Sequence, residues 1–132
     1  MSKKSRVLKE IKRVTSDKNF QMSKVIENFI KPYLHLTSNF IETEKLLTLA
    51  IIAWNASLYP ESERTDIVEI LFSKEIIGDD PNLQDELTEI ITTLIHRKLT
   101  FFANYQRLII DFNLTILNQS YSLSVTSQEK AL

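Results

Sequence analysis

A chain of 132 residues, 43% apolar and 25% charged, with a net charge of −1, has the size and mix of one soluble folded domain and is far from disorder. It has no cysteine, which excludes disulfides, thiolate nucleophiles and cysteine–zinc sites. It has one glycine, Gly78, which excludes the Gly-rich phosphate loops of Walker or dinucleotide type, because each needs at least two glycines where backbone meets phosphate.

The charge is unevenly placed. Residues 1–24 hold eight Lys or Arg against Glu10 and Asp17, and residues 61–89 hold ten acids against Arg64 and Lys74. Such asymmetry marks a binding surface or a basic arm that folds onto its own acidic face. The longest apolar run, Leu46 to Trp54, is far short of the ~20 residues that cross a bilayer. The basic opening "MSKKSRVLKEIKRV" lacks the apolar core of a secretory signal. The expectation is a soluble cytoplasmic protein with no membrane span, forming a single domain over 1–132.

In chain order, Val7, Leu8, Ile11 and Val14 recur at helical spacing and predict a basic amphipathic helix or arm within residues 1–18. "TSDKN", residues 15–19, predicts a break, because small polar side chains compete for backbone hydrogen bonds. Met22, Val25, Ile26, Phe29, Ile30 and Tyr33 form the stripe of a second helix, which Pro32 ends or kinks near Lys31. Asn39 and Glu42 have capping-box spacing and start a third helix. That helix, 40–58, is apolar nearly all round and is expected at the centre. Pro60 then opens an acid-rich helix, with Gly78 as its left-handed cap. Asp80 and Pro81 start a fifth, with Leu83, Leu87, Ile90, Leu94 and Phe101 inward and Asp85, Glu89, His96 and Arg97 outward.

Beyond Asn104 the period changes from three-to-four to two. Leu108, Ile110, Phe112, Leu114 and Ile116 alternate with Ile109, Asp111, Asn113, Thr115 and Leu117; Tyr121, Leu123 and Val125 alternate with Ser122, Ser124 and Thr126. This predicts an antiparallel hairpin over 107–117 and 121–126, with a polar tail at 127–132. The expected fold is mainly α (α+β): about five helices around the 40–58 helix, with a C-terminal hairpin. An isolated hairpin is marginal in water, so its apolar face must pack on helices or its edge must pair. Two copies forming a four-stranded sheet over the helices would do both.

Residue chemistry gives little support for catalysis. Asp85 and His96 stand roughly 16 Å apart along a helix, so one ion cannot bridge them, and no metal site or cofactor is expected. No serine has the flanking glycines of a nucleophile elbow. Trp54 reads as core, and Asn55, an amide in an apolar helix, must be hydrogen-bonded or near solvent. A pocket beneath Trp54 is a further candidate.

Two stretches, "LAIIAWNASLYPESER" (49–64) and "IHRKLTFFANYQRLIIDFNL" (95–114), resemble small bacterial proteins of uncharacterised function. Those share an Ala-Trp-Asn helix, a Pro-Glu turn and an Arg-x-Ile-x-Asp strand. The resemblance implies no activity. It groups Trp54, Asn55, Arg64, Arg97, Lys98, Arg107 and Asp111 as one unit. Arg97, Lys98 and Arg107 are expected to form an ion-pair network with Glu61, Glu63 and Asp66 that orients the hairpin.

The favoured functional reading is a small interaction or assembly module, homodimeric and without cofactor, with an unknown protein partner. One alternative is a nucleic-acid-associated accessory protein that uses Lys3, Lys4, Arg6, Lys9, Lys12 and Arg13. Another is an enzyme whose site is assembled from distant residues.

Overall fold

The computed structural model describes residues 18–75, 81–117 and 120–130, and the side chains of all of these except 70–75, 81–84 and 117. The described part of α1 covers 18–30 and runs into a 3-10 turn, Lys31–Leu36. Then come α2 (Phe40–Ser57), α3 (Glu61–Glu75), α4 (Pro81–Phe101), β1 (Arg107–Leu117) and β2 (Ser120–Glu129). The two strands form one antiparallel sheet.

Helix α2 is the centre, as its all-round apolar sequence requires. Leu47, Ala50, Ala53, Trp54 and Ala56 have no exposed surface. Against it pack Met22, Val25, Ile26, Phe29 and Ile30 of α1, Ile91 and Leu94 of α4, and Ile109, Leu114, Leu123 and Val125 of the hairpin. Its start is capped as predicted: Asn39 Oδ1 accepts from the Glu42 amide at 2.9 Å. The Glu42 carboxylate reaches one residue further back than the usual box, to the Ser38 amide at 3.0 Å.

Proline 32 ends α1 after Ile30, and the consequence appears on α4. With no N–H on Pro32, the Asn28 carbonyl four residues earlier loses its helical donor. The Arg97 guanidinium supplies one, donating to Asn28 O at 3.2 Å and to Phe29 O at 3.0 Å.

Several expectations are corrected. Four helices, not about five, stand among the described residues beside the hairpin, so the chain is α+β rather than a five-helix bundle. The predicted basic helix lies outside the described residues, and so do Gly78 and Asp80. The predicted break at 15–19 is not complete, because residues 18 and 19 are already helical. Asn19 does not compete for its own backbone. Its Oδ1 instead accepts from the Ser127 amide and hydroxyl, at 3.0 and 3.1 Å. The inward stripe of α4 is Leu87, Ile90, Ile91, Leu94 and Lys98, continued by Phe102 just past the helix end, rather than one ending at Phe101, which is 70% exposed. A lysine in an apolar stripe hid that phase. Residues 127–129, expected in a polar tail, belong to β2, and Ser127 is buried.

The hairpin departs most instructively. A bulge at Ile110 separates the pairs Ile109↔Ser127 and Asp111↔Thr126. It inverts side-chain parity within β1. Before the bulge Ile109 points into the core; after it Phe112 and Leu114 do, while Ile110 is 55% exposed. The strict alternation of Leu108, Ile110 and Phe112 therefore does not describe one face.

Among the described residues no helix is long and apolar enough to cross a membrane.

Candidate functional site

Trp54 and Asn55 sit next to each other near the end of α2, where the outer edge of β1 arrives. Trp54 Nε1 donates to the Arg107 carbonyl at 2.9 Å. The Asn55 amide donates to the Ile109 carbonyl at 2.9 Å and accepts from the Ile109 N–H at 2.8 Å. A carboxamide bound at both ends in this way replaces one residue of a neighbouring strand. This edge of β1 is occupied by a helix.

The outer edge of β2 is treated likewise by α1. The Val125 amide donates to Ser23 Oγ at 3.0 Å, and the Ser127 amide to Asn19 Oδ1. Ser23 Oγ itself donates to the Asn19 carbonyl at 2.8 Å, which fixes it for the task. Asp111 guards the next position on β1, its carboxylate accepting from the Phe112 amide at 2.9 Å. Arg107 spans the strands, donating to Ser127 Oγ at 2.9 Å and Ser127 O at 3.0 Å. The base of the hairpin is thus blocked on both edges.

The distal part is not. Ile116 and Tyr121 face each other on the inward side, yet are 45% and 48% exposed, while Leu114 and Leu123, one pair closer to the base, are buried. The hairpin overhangs the helices at Ile116↔Tyr121. From Phe112 to Ser127 there is no charged residue and no proline, the usual means by which edge strands resist pairing.

Behind the base lies an aromatic box. Phe29, Trp54 and Phe102 meet edge to face at 5.3–5.9 Å between centroids, and Tyr105 closes the side at 6.4 Å from Trp54. Lys98 is 1% exposed. Its ammonium donates to the Tyr105 carbonyl at 2.6 Å and lies 4.8 Å from the Trp54 ring centroid. Burial pulls its pKa down from 10.5 to about 8, because desolvation penalises the charged form.

The expected ion-pair network is absent. No ion pair joins Arg97, Lys98 or Arg107 to Glu61, Glu63 or Asp66. The cations go elsewhere: Arg97 to the carbonyls that end α1, Lys98 to the Tyr105 carbonyl and Arg107 to Ser127 of β2. Two further cations cap the end of α2, where unpaired carbonyls carry a partial negative charge. Arg64 donates to Tyr59 O at 3.0 Å, and Lys130 to Leu58 O at 2.7 Å. Lys130 had no sequence signal beyond its charge. Asn19 and Ser23 had none either, since their partners lie 108 and 102 residues away.

Of the residues singled out from sequence, Trp54, Asn55 and Arg107 meet at one junction, Asp111 guards the adjoining edge, and Arg64 and Arg97 cap helix ends elsewhere. Lys3, Lys4, Arg6, Lys9, Lys12 and Arg13 lie outside the described residues. A groove of about 390 Å³ beside Asn55 is lined by Tyr59, Ile67, Leu108, Ile109 and Ile110; its lining suits an apolar side chain. His96, Glu89 and Asp85 are exposed, and among the described residues no three His, Asp or Glu side chains gather to hold a metal. No family model, curated protein or solved structure matches the chain.

Proposed function

We propose that this chain is a small protein-interaction module that works through the distal half of its β-hairpin and needs no cofactor to do so. The supporting observation is the contrast along one hairpin. Its base is sealed on both edges by Trp54, Asn55, Asn19, Ser23 and Asp111, while its uncharged distal part overhangs the body with Ile116 and Tyr121 half-exposed. Unsealed, uncharged edges pair readily with another strand, which is how strand-addition partners are recruited. A cytoplasmic setting belongs to this reading, and the absence of cysteine is in keeping with a reducing compartment.

A photo-crosslinking side chain at position 116, compared with one at the exposed Thr92 of α4, tests it in native lysate. Discrete crosslinked species from 116 alone are expected. Equal yields from both positions, or none from 116, would refute the reading.

A further inference from the structure

We propose that the strand received by the distal hairpin is a second copy of the same chain, paired antiparallel through the outer edge of β1 about a two-fold axis at Thr115. This rests on the interaction reading above and names its partner.

The geometry follows from register. The Ile109 amide and carbonyl point outward to Asn55, and opposite it the Ser127 amide points outward to Asn19. The pair Phe112↔Val125 behaves in the same way, with its amides taken by Asp111 and Ser23. In an antiparallel ladder such outward pairs alternate with inward ones. Leu114↔Leu123 and Ile116↔Tyr121 are therefore outward pairs too. The N–H and C=O groups of Leu114 and Ile116 stand on the outer edge of β1, beyond the reach of the guards at its base.

A two-fold axis at Thr115 sets Leu114 of each copy against Ile116 of the other. Four backbone hydrogen bonds close, and the two Thr115 residues face each other in a non-hydrogen-bonded pair. On the inward face Leu114 of one copy comes to lie beside the half-exposed Ile116 of the other. Thr–Thr and apolar β-branched pairs are among the favourable cross-strand neighbours.

Charge favours a like copy. Antiparallel self-pairing punishes any charge near the axis, because it meets its own kind. The nearest charge on β1 is Asp111, and the two Asp111 residues end roughly 27 Å apart, eight positions at ~3.4 Å each, well beyond the screening length at physiological salt. The outer edge of β2 also offers two residues, Tyr121 and Leu123, but its axis would fall on Ser122, so neither the axis residue nor its neighbours are β-branched, unlike Thr115 and Ile116.

The chain has no cysteine, so a single introduced thiol reports one position. Facing Cβ atoms in such a pair lie about 5 Å apart, close to disulfide range. Mild oxidation of Thr115→Cys should give a disulfide-linked dimer in at least tenfold greater yield than Asn113→Cys or Ser122→Cys. Light scattering of the unmodified chain should give twice the monomer mass at high concentration. Ile116→Pro removes one edge donor per copy at a position where proline is tolerated, and should weaken association at least tenfold with an unchanged circular dichroism spectrum. A monomeric mass together with no Thr115→Cys dimer overturns the proposal. So does crosslinking from position 116 to a different protein alone, which would leave the interaction reading intact. Preferential linkage through Ser122→Cys would overturn the β1 edge assignment.

Discussion

Asn55 shows how much one side chain can decide. Its amide closes both hydrogen bonds that Ile109, itself buried, would otherwise give to a neighbouring strand. Asn55→Ala leaves a buried N–H and C=O unpaired and should cost on the order of 2–3 kcal/mol in urea unfolding. Asn55→Asp keeps the acceptor for the Ile109 N–H but loses the donor, and should fall between the two. Lys98 makes a prediction of opposite sign. Below about pH 8 it is protonated in the folded and the unfolded chain, and the fold bears the full cost of a buried ammonium. Between its folded value of about 8 and the unfolded 10.5, the unfolded chain holds a proton the folded one has lost, so stability rises with pH across that window. Urea midpoints near pH 7 and near pH 9.5 should show this rise, and Lys98→Met should lack it. An equal rise in both proteins would assign it to other groups. The sequence marked Asn55 as needing a partner, because an amide in an apolar helix cannot remain unpaired. It did not mark the partner, since backbone atoms leave no trace in residue identity. Lys98 was placed in an ion pair that does not form; its ammonium goes to the Tyr105 carbonyl, a backbone oxygen that residue identity does not mark.

At the level of elements, α2 and the hairpin were both legible, one from an unbroken apolar surface and the other from a change of period beyond Asn104. The capping box was legible because its partners lie three and four residues apart. Asn39→Ala should lower stability by about 1 kcal/mol, read from the denaturation midpoint. The bulge was not legible. "RLIIDF" contains adjacent apolar residues at Leu108, Ile109 and Ile110, and any of them can be the extra one. Only the contacts of Asn55 with Ile109 choose. Deleting Ile110 should remove the bulge and leave Ile109, Phe112 and Leu114 at regular two-residue spacing on one face. Cooperative unfolding should be kept, followed by near-ultraviolet circular dichroism, and its loss would show that the bulge itself is needed.

For the molecule as a whole, the proposed pairing makes stability depend on concentration, because only the folded chain presents the edge. The thermal midpoint should climb by about 2–4 °C for each tenfold increase in concentration, and Ile116→Pro should flatten that climb. A midpoint that stays constant over a hundredfold range would speak against assembly. The basic arm at residues 1–18 made a strong charge signal in the sequence, but residues 1–17 lie outside the described residues. Charge patterning reports where a surface is loaded, not what it meets.

The hairpin edges are held by Asn19, Ser23, Trp54 and Asn55, all of which precede the hairpin in the chain. During synthesis, which proceeds from the N-terminus, the guards exist before the segment they restrain. The sticky segment spends little time without them. A circular permutant that places 107–132 ahead of 1–106 would reverse that order while keeping the contacts described above. Its soluble yield from cells should fall sharply, even if the purified protein melts at the same temperature.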